Sequence, residues 1–209
     1  GWASARESLL YTWRAPKQAD DPPFGRLTLR ATLKGGAAYD VPLAGTASLR
    51  WSEEATPVGP GSLTVSGGQA VMTRPYRLAD GMANLKVVGR LVGKSLVLDV
   101  TCDKPGVAVM EAGSWGPVMR RRGVTTPYYT GQIFYLPRED LFVNTYLDWT
   151  GSNASYHDNA RATYDARTDG SRVPLKERVV YAAAWNLAEV FPNVPNPPSP
   201  FRAEMAGRM

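Results

Sequence analysis

Short stretches in which apolar and polar residues alternate, separated by glycine-containing turns, run through most of this 209-residue chain. In residues 26–33 leucine and alanine alternate with arginine and threonine, and residues 95–102 show a similar pattern. A period of two is typical of a strand with one buried face. Gly67-Gly68 and Gly93-Lys94 separate neighbouring stretches in the manner of hairpin turns. The pattern therefore predicts a chain of antiparallel strands.

The regular spacing of about ten to thirteen such stretches favours a large sandwich. The aromatic content of 6 Trp, 10 Tyr and 5 Phe is too high for a disordered segment. A chain of this length should bury about 70% of the surface that its unfolded form exposes. We therefore expect an all-β fold, a large antiparallel β-sandwich, over residues 1–190.

The last part of the chain has a different composition. Residues 191–200 include five prolines, which lack a backbone donor and cannot join a central sheet. Ser199 can cap a helix that has Pro200 at its first position, and residues 201–209 favour a short terminal helix. We predict that residues 191–209 form a proline-rich extension that leads towards a further domain.

Composition also excludes several classes of function. A single cysteine, Cys102, and a single histidine, His157, rule out a disulfide framework and multi-cysteine metal sites. The net charge is +5, but the only basic run, residues 120–122, is shorter than a nucleic-acid patch requires. No apolar run approaches the roughly 18 residues of a membrane span. We therefore expect neither a nucleic-acid nor a membrane partner.

Residues 146–158 form the densest polar segment of the chain. They include two carboxylates, an amide, several hydroxyls, three aromatic rings and the sole histidine. Sugars offer many hydroxyl groups and flat apolar faces, so their sites combine paired hydrogen-bonding groups with stacking rings. We predict carbohydrate contacts from Asp148, Trp149, Asn153 and His157. The same residue types also build structured loops by bonding to the backbone, and the sequence leaves this alternative open.

Three further aromatic residues are predicted to stand on loops. Trp115 lies within Gly-Ser-Trp-Gly, and Tyr128 and Tyr129 follow a proline. Glycine neighbours let a large ring leave the pleated surface of a sheet. Exposed rings of this kind stack on sugars. They are equally suited to packing against a neighbouring domain.

Other chemistries are less well supported by the sequence. Asp148 and Asp158 could serve as a glycosidase acid and base, but that role needs carboxyl groups about 5–9.5 Å apart, which loop spacing cannot establish. The serines near His157 lack the strand–turn–helix context of a nucleophile. Asp165, Asp169 and Glu177 do not have calcium-loop spacing, although a bound Ca²⁺ remains an alternative to simple turn chemistry. We expect no catalytic and no metal-binding residue in this chain.

Four blocks carry a resemblance to a known family. They are Gly-Lys-Ser-Leu-Val-Leu-Asp-Val at 93–100, Pro-Tyr-Tyr at 127–129, Asp-Trp-Thr-Gly-Ser-Asn-Ala-Ser at 148–155 and Asn-Val-Pro-Asn-Pro-Pro-Ser-Pro at 193–200. Together they resemble the N-terminal β-supersandwich domain, galactose-mutarotase-like in fold, that precedes a (β/α)₈ barrel in large bacterial glycoside-hydrolase-like proteins.

The resemblance implies a function as well as a fold. The catalytic carboxylates of such enzymes lie on the barrel, so the chain would be a noncatalytic module of a polysaccharide-degrading enzyme that supports the catalytic domain, binds carbohydrate, or both. Its partners would be a polysaccharide and the C-terminal catalytic domain of the same polypeptide. The protein would be secreted or periplasmic, with a signal peptide absent from this sequence.

Two other functions remain open at this point. One is a stand-alone carbohydrate-binding module with Trp115, Tyr128 and Tyr129 as its platform. The other is a self-contained glycoside hydrolase that uses Asp148 and Asp158.

Overall fold

The computed structural model describes residues 1–3, 8–32, 36–43, 47–113, 115, 122–126, 129–137, 140–158, 160–164 and 173–185. Its strands are β1 Trp2–Ala3, β2 Ser8–Arg14, β3 Arg26–Thr32, β4 Ala38–Leu43, β5 Ser48–Trp51, β6 Thr56–Pro57, β7 Ser62–Ser66, β8 Gln69–Leu78, β9 Gly81–Val92, β10 Ser95–Cys102, β11 Val107–Glu111, β12 Arg122–Thr126, β13 Tyr129–Leu136, β14 Leu141–Leu147, β15 Tyr156–Asp158, β16 Arg161–Thr163 and β17 Lys176–Ala184. A 3₁₀ turn, Trp149–Gly151, is the one helical element among the described residues.

The strands form three sheets in which every pairing is antiparallel. The N-terminal sheet has the order β1-β2-β3-β4. The large sheet has nine strands in the order β12-β13-β14-β17-β10-β9-β8-β6, with β7 also paired to β8. The small sheet has the order β15-β16-β11-β5. The all-β, antiparallel fold predicted from the sequence is thereby confirmed.

Alternation of residue types decides which face of each strand is buried. On β3 the apolar residues Leu27, Leu29 and Ala31 are buried, while Arg26 and Arg30 are exposed. The apolar face of β3 lies beside Leu9 of β2 and continues onto Val41 of β4. The N-terminal sheet therefore has one apolar face and one polar, solvent-facing side.

The core lies between the large sheet and the two smaller sheets. The Trp13 ring of the N-terminal sheet packs so closely over Gly89 that a Cβ there would be 2.8 Å from it. The Tyr181 hydroxyl of the large sheet donates a hydrogen bond to the carbonyl of Ala112, just after β11. Gly89 and Tyr181 belong to the same face of the large sheet, hereafter its inner face. Both smaller sheets thus cover one side of the large sheet, as in a sandwich.

The predicted hairpins are present. Gly67 and Gly68, both with positive φ, join β7 to β8, and Gly93-Lys94 joins β9 to β10. Several short strands were not predicted. β4 contains Pro42, which is tolerated because β4 is an edge strand. The two short strands β15 and β16 arise from the segment interpreted as a polar loop and its continuation.

Other predictions concern parts of the chain outside the described residues. The proline-rich extension, its terminal helix and the domain boundary at residue 190 all lie there. Within the described part, no helix is long and apolar enough to cross a bilayer.

Candidate functional site

The segment 148–158 runs past the N-terminal end of β17. The Asp148 amide donates to the Arg178 carbonyl at 2.8 Å, and the Asn153 amide donates to the Lys176 carbonyl at 3.0 Å. Between these two bonds the 3₁₀ turn carries the chain away from β17 and back again. The turn is therefore a short excursion fixed to the large sheet at both ends.

Asp148 holds the start of this turn. Its carboxylate accepts hydrogen bonds from the Thr150 amide at 3.1 Å and from the Thr150 hydroxyl at 2.6 Å. On its other side it forms an ion pair with Arg178, at 3.6 Å between Oδ2 and Nη1. Capping of this kind satisfies donors that a helical turn otherwise leaves unpaired. The buried Asp148 carboxylate is thus fully engaged within the chain.

Arg178 links the turn to the centre of the large sheet. Its Nε donates to Asp99 at 2.6 Å, and Asp99 also bonds Arg90. The hydrogen bond that Arg178 donates to Asp99, together with the nearby Asp148 carboxylate, raises the pKa of the Arg178 guanidinium. Gly151 packs directly on this side chain, because a Cβ there would be 2.7 Å from the Cβ of Arg178. The turn therefore has room only for glycine at this point.

Two large rings of the segment face solvent. Trp149, the first residue of the anchored turn, is 67% exposed, and Tyr156 on β15 is 64% exposed. Most aromatic side chains of a globular protein are largely buried. Exposed rings on a fixed backbone can stack on the apolar face of a sugar without ordering a loop first.

Asn153 uses its amide within the chain. Its Nδ2 donates to the Pro174 carbonyl at 2.8 Å, and its Oδ1 accepts from the Lys176 amide at 3.0 Å. These bonds attach the end of the excursion to the residues that lead into β17. The geometry gives Asn153 a role in positioning the segment.

His157 belongs to a buried polar cluster centred on Glu177. Glu177 Oε2 accepts from the Ser152 hydroxyl at 2.7 Å, from the Tyr164 hydroxyl at 2.8 Å and from His157 Nε2 at 2.9 Å. Glu177 Oε1 accepts from the Arg178 amide at 3.0 Å. The carboxylate is completely removed from solvent, and a buried charge is tolerated only when it is bonded in this way.

The hydrogen bonds of this cluster indicate a structural role. In a catalytic triad the serine donates to one imidazole nitrogen and the acid accepts from the other. Here Ser152 and Glu177 both meet His157 at Nε2, and the Ser152 proton is directed to the carboxylate. Burial, followed by the charge of Glu177, raises the pKa of Tyr164, so its hydroxyl remains a donor. The cluster therefore holds together residues from two sheets without activating a nucleophile.

Trp115 is not on the surface, contrary to the sequence-based prediction. It is only 2% exposed, and its ring meets Tyr181 edge-on at a centroid distance of 6.5 Å. The glycines that surround it permit a ring to point inwards as readily as outwards. Tyr128 lies outside the described residues, as does the side chain of Tyr129.

Cavities and metal ligands give no further support to the 148–158 segment. A cavity of about 460 Å³ lies on the N-terminal sheet, and one of about 330 Å³ lies between that sheet and the large sheet. Neither is lined by residues 148–158. Among the described side chains, no three His, Cys, Asp or Glu residues are close enough to hold a metal ion. Asp165 and Asp169 lie outside this set.

The sequence did not indicate the importance of Glu177 and Tyr164. Glu177 is 20 residues from His157 and 25 from Ser152, so no local motif connects them. Ser152 comes close to Glu177 because residues 148–153 run alongside β17 in the folded chain. An isolated glutamate at a buried position of an otherwise apolar strand would have been the one available signal.

Comparison of the chain with protein-family models, curated proteins and solved structures finds no match. The family resemblance carried by the four sequence blocks therefore remains a prediction.

Proposed function

We propose that this chain is a noncatalytic β-sandwich module of a polysaccharide-degrading enzyme, and that it contacts carbohydrate through the Trp149 turn. The observation that carries the proposal is the exposed Trp149 indole on a turn held at both ends by β17. Asp148, Asn153 and His157 position this ring rather than meeting the sugar directly, because their polar groups bond within the chain. Tyr156 adds a second exposed ring to the segment.

The setting of Asp148 supports a noncatalytic role. A glycosidase needs one carboxyl group that can give up a proton to the leaving oxygen. Asp148 instead accepts two hydrogen bonds from Thr150 and forms an ion pair with Arg178, so both carboxylate oxygens are engaged within the chain. The alternative of a self-contained hydrolase using Asp148 and Asp158 is therefore the weaker proposal.

The stand-alone binding module is likewise a weaker proposal in its original form. Its platform included Trp115, whose burial leaves no ring face open to a sugar. Sequencing of the gene beyond the codon for Met209 distinguishes a module of a larger enzyme from a stand-alone carbohydrate-binding module. A continuing reading frame of about 250 residues, the length of one barrel, supports the enzyme module, and an immediate stop codon contradicts it.

Affinity electrophoresis on gels that contain a panel of soluble polysaccharides tests the binding itself. The unmodified chain should be retarded by at least one of them, and Trp149→Ala should lose that retardation. Met82→Ala removes another exposed apolar side chain, on β9, and serves as the matched control. Absence of retardation on the whole panel, or equal retardation of Trp149→Ala, contradicts the proposal.

A further inference from the structure

The solvent-facing side of the N-terminal sheet forms a basic cavity that the proposed function does not use. The cavity has a volume of about 460 Å³ and is lined by Arg14, Arg26 and Arg30 together with Thr12 and Thr28. This volume is within the range of about 300–1,000 Å³ that is typical of small-ligand sites. Because all five residues are on strands, their Cα positions are fixed by the sheet.

The strand register places two arginines directly opposite each other. Arg14 of β2 is paired with Arg26 of β3, and the next pair on the same face is Thr12 with Thr28. Like charges at directly opposite positions destabilise a sheet. The Arg14 side chain makes no hydrogen bond or ion pair with any residue that the structure describes. The sheet therefore maintains an unbalanced positive pair beside two hydroxyl groups.

Nearby carboxylates neutralise this surface only in part. Asp40 is the one acid that lines the cavity, and it binds Arg30 through two hydrogen bonds of 2.8 Å. Asp21 meets Arg26 through a single contact of 3.2 Å, while the same carboxylate also accepts two backbone amides. Arg14 and Arg26 consequently keep N–H groups directed at solvent. Two guanidinium groups on neighbouring strands are well suited to a bidentate anion such as a carboxylate or a sulfate ester.

We propose that this basic cavity binds an acidic glycan, with a carboxylate or sulfate group on Arg14 and Arg26 and sugar hydroxyls on Thr12 and Thr28. Leu10, which is half exposed at the end of the cavity, offers an apolar contact for a sugar ring. The lining residues include no aromatic ring, which single-stranded nucleic acid would require for stacking. The choice of a glycan rests on the proposed function, whereas the anion site rests on the arginines alone.

Two double variants of equal charge test the proposal. Arg14→Gln/Arg26→Gln removes the pair, and Arg50→Gln/Arg77→Gln removes two exposed arginines from other sheets as the matched control. The probes are an oligogalacturonate, a sulfated dextran and the unmodified dextran, with affinity measured by titration calorimetry at fixed salt. We expect at least one acidic probe to bind the unmodified chain and to lose about tenfold or more in affinity only with the first variant.

The remaining outcomes overturn the proposal or separate it from the proposed function. Equal weakening by both double variants shows a diffuse charge effect and contradicts a built site. Equal affinity for a duplex DNA of matched charge, or for free sulfate, contradicts a glycan as the ligand. Trp149→Ala should leave acidic-probe binding at this cavity within about twofold of the unmodified chain. If the neutral-glycan binding of Trp149 fails while the arginine-dependent binding persists, the proposed function fails and the anion site stands.

Discussion

His157 Nε2 lies 2.9 Å from Glu177 Oε2, and this contact joins the small sheet to the large sheet through the interior of the sandwich. His157 is on β15, and Glu177 is on the inner face of β17. Tyr164, which follows β16, reaches the same oxygen. One buried carboxylate thus fixes the position of the segment that carries Trp149.

Replacement of Glu177 by glutamine should destabilise the fold. The amide offers a single acceptor oxygen and brings two donors to a position where three donors already converge. We expect a loss of about 3 kcal/mol in the free energy of unfolding, measured by urea denaturation. Glu111→Gln is the control. The Glu111 carboxylate is at a partly exposed position, bonds Ser48 alone among the described side chains, and its replacement should change stability by less than about 0.5 kcal/mol. Equal effects of the two variants would contradict the anchoring role of Glu177.

Gly151→Ala should disturb the Trp149 turn. The added Cβ would be 2.7 Å from the Cβ of Arg178, which cannot move without breaking its bond to Asp99. We expect a destabilisation of about 2 kcal/mol and weaker retardation by the glycans that the unmodified chain binds. Gly123→Ala adds the same methyl group where nothing lies within 4 Å, and it should be close to neutral in thermal melts. A neutral Gly151→Ala would show that the turn does not depend on this contact.

The strands were largely predictable because their signal is local. The period-two pattern of residues 26–33 and 95–102 corresponds closely to β3 and β10, and the glycine turns correctly predicted two hairpins. Placement of side chains such as Trp115 and Glu177 was not predictable. Each depends on a partner far away in sequence, Tyr181 for the ring and the 152–164 segment for the carboxylate.

The buried setting of Trp115 and the exposed setting of Trp149 predict losses of stability of very different size for the same substitution. Trp115→Ala removes a buried ring and should cost about 3–5 kcal/mol in stability, read from chemical denaturation. Trp149→Ala removes a ring that is mostly in solvent and should change stability by less than about 1 kcal/mol. Similar losses for both variants would contradict the assignment of one ring to the core and the other to the surface.

Buried tyrosines should limit stability at alkaline pH. Burial raises the pKa of Tyr181, and burial followed by the charge of Glu177 raises the pKa of Tyr164. The folded chain therefore keeps protons that the unfolded chain releases above the ordinary pKa of 10.0. These two tyrosines therefore make their full contribution to the free energy of unfolding below that pH. Above it, the contribution falls by about 1.4 kcal/mol per pH unit for each tyrosine.

Spectrophotometric titration at the phenolate absorption band measures this effect. Tyr164 and Tyr181 should ionise only as the chain unfolds, and Tyr181→Phe should remove one late-titrating group. If all tyrosines ionise near the ordinary pKa of 10.0 while circular dichroism shows that the chain is still folded, the burial of Tyr164 and Tyr181 is contradicted.

The central claim is that the Trp149 indole meets the sugar, and its N–H resonance in a two-dimensional ¹⁵N–¹H spectrum tests it most directly. Trp149→Phe assigns this resonance among the six tryptophans. Titration with a polysaccharide fragment that retards the chain should shift the Trp149 signal in a saturable way and leave the buried Trp115 signal unchanged. Saturable binding that leaves the Trp149 signal in place would contradict the account.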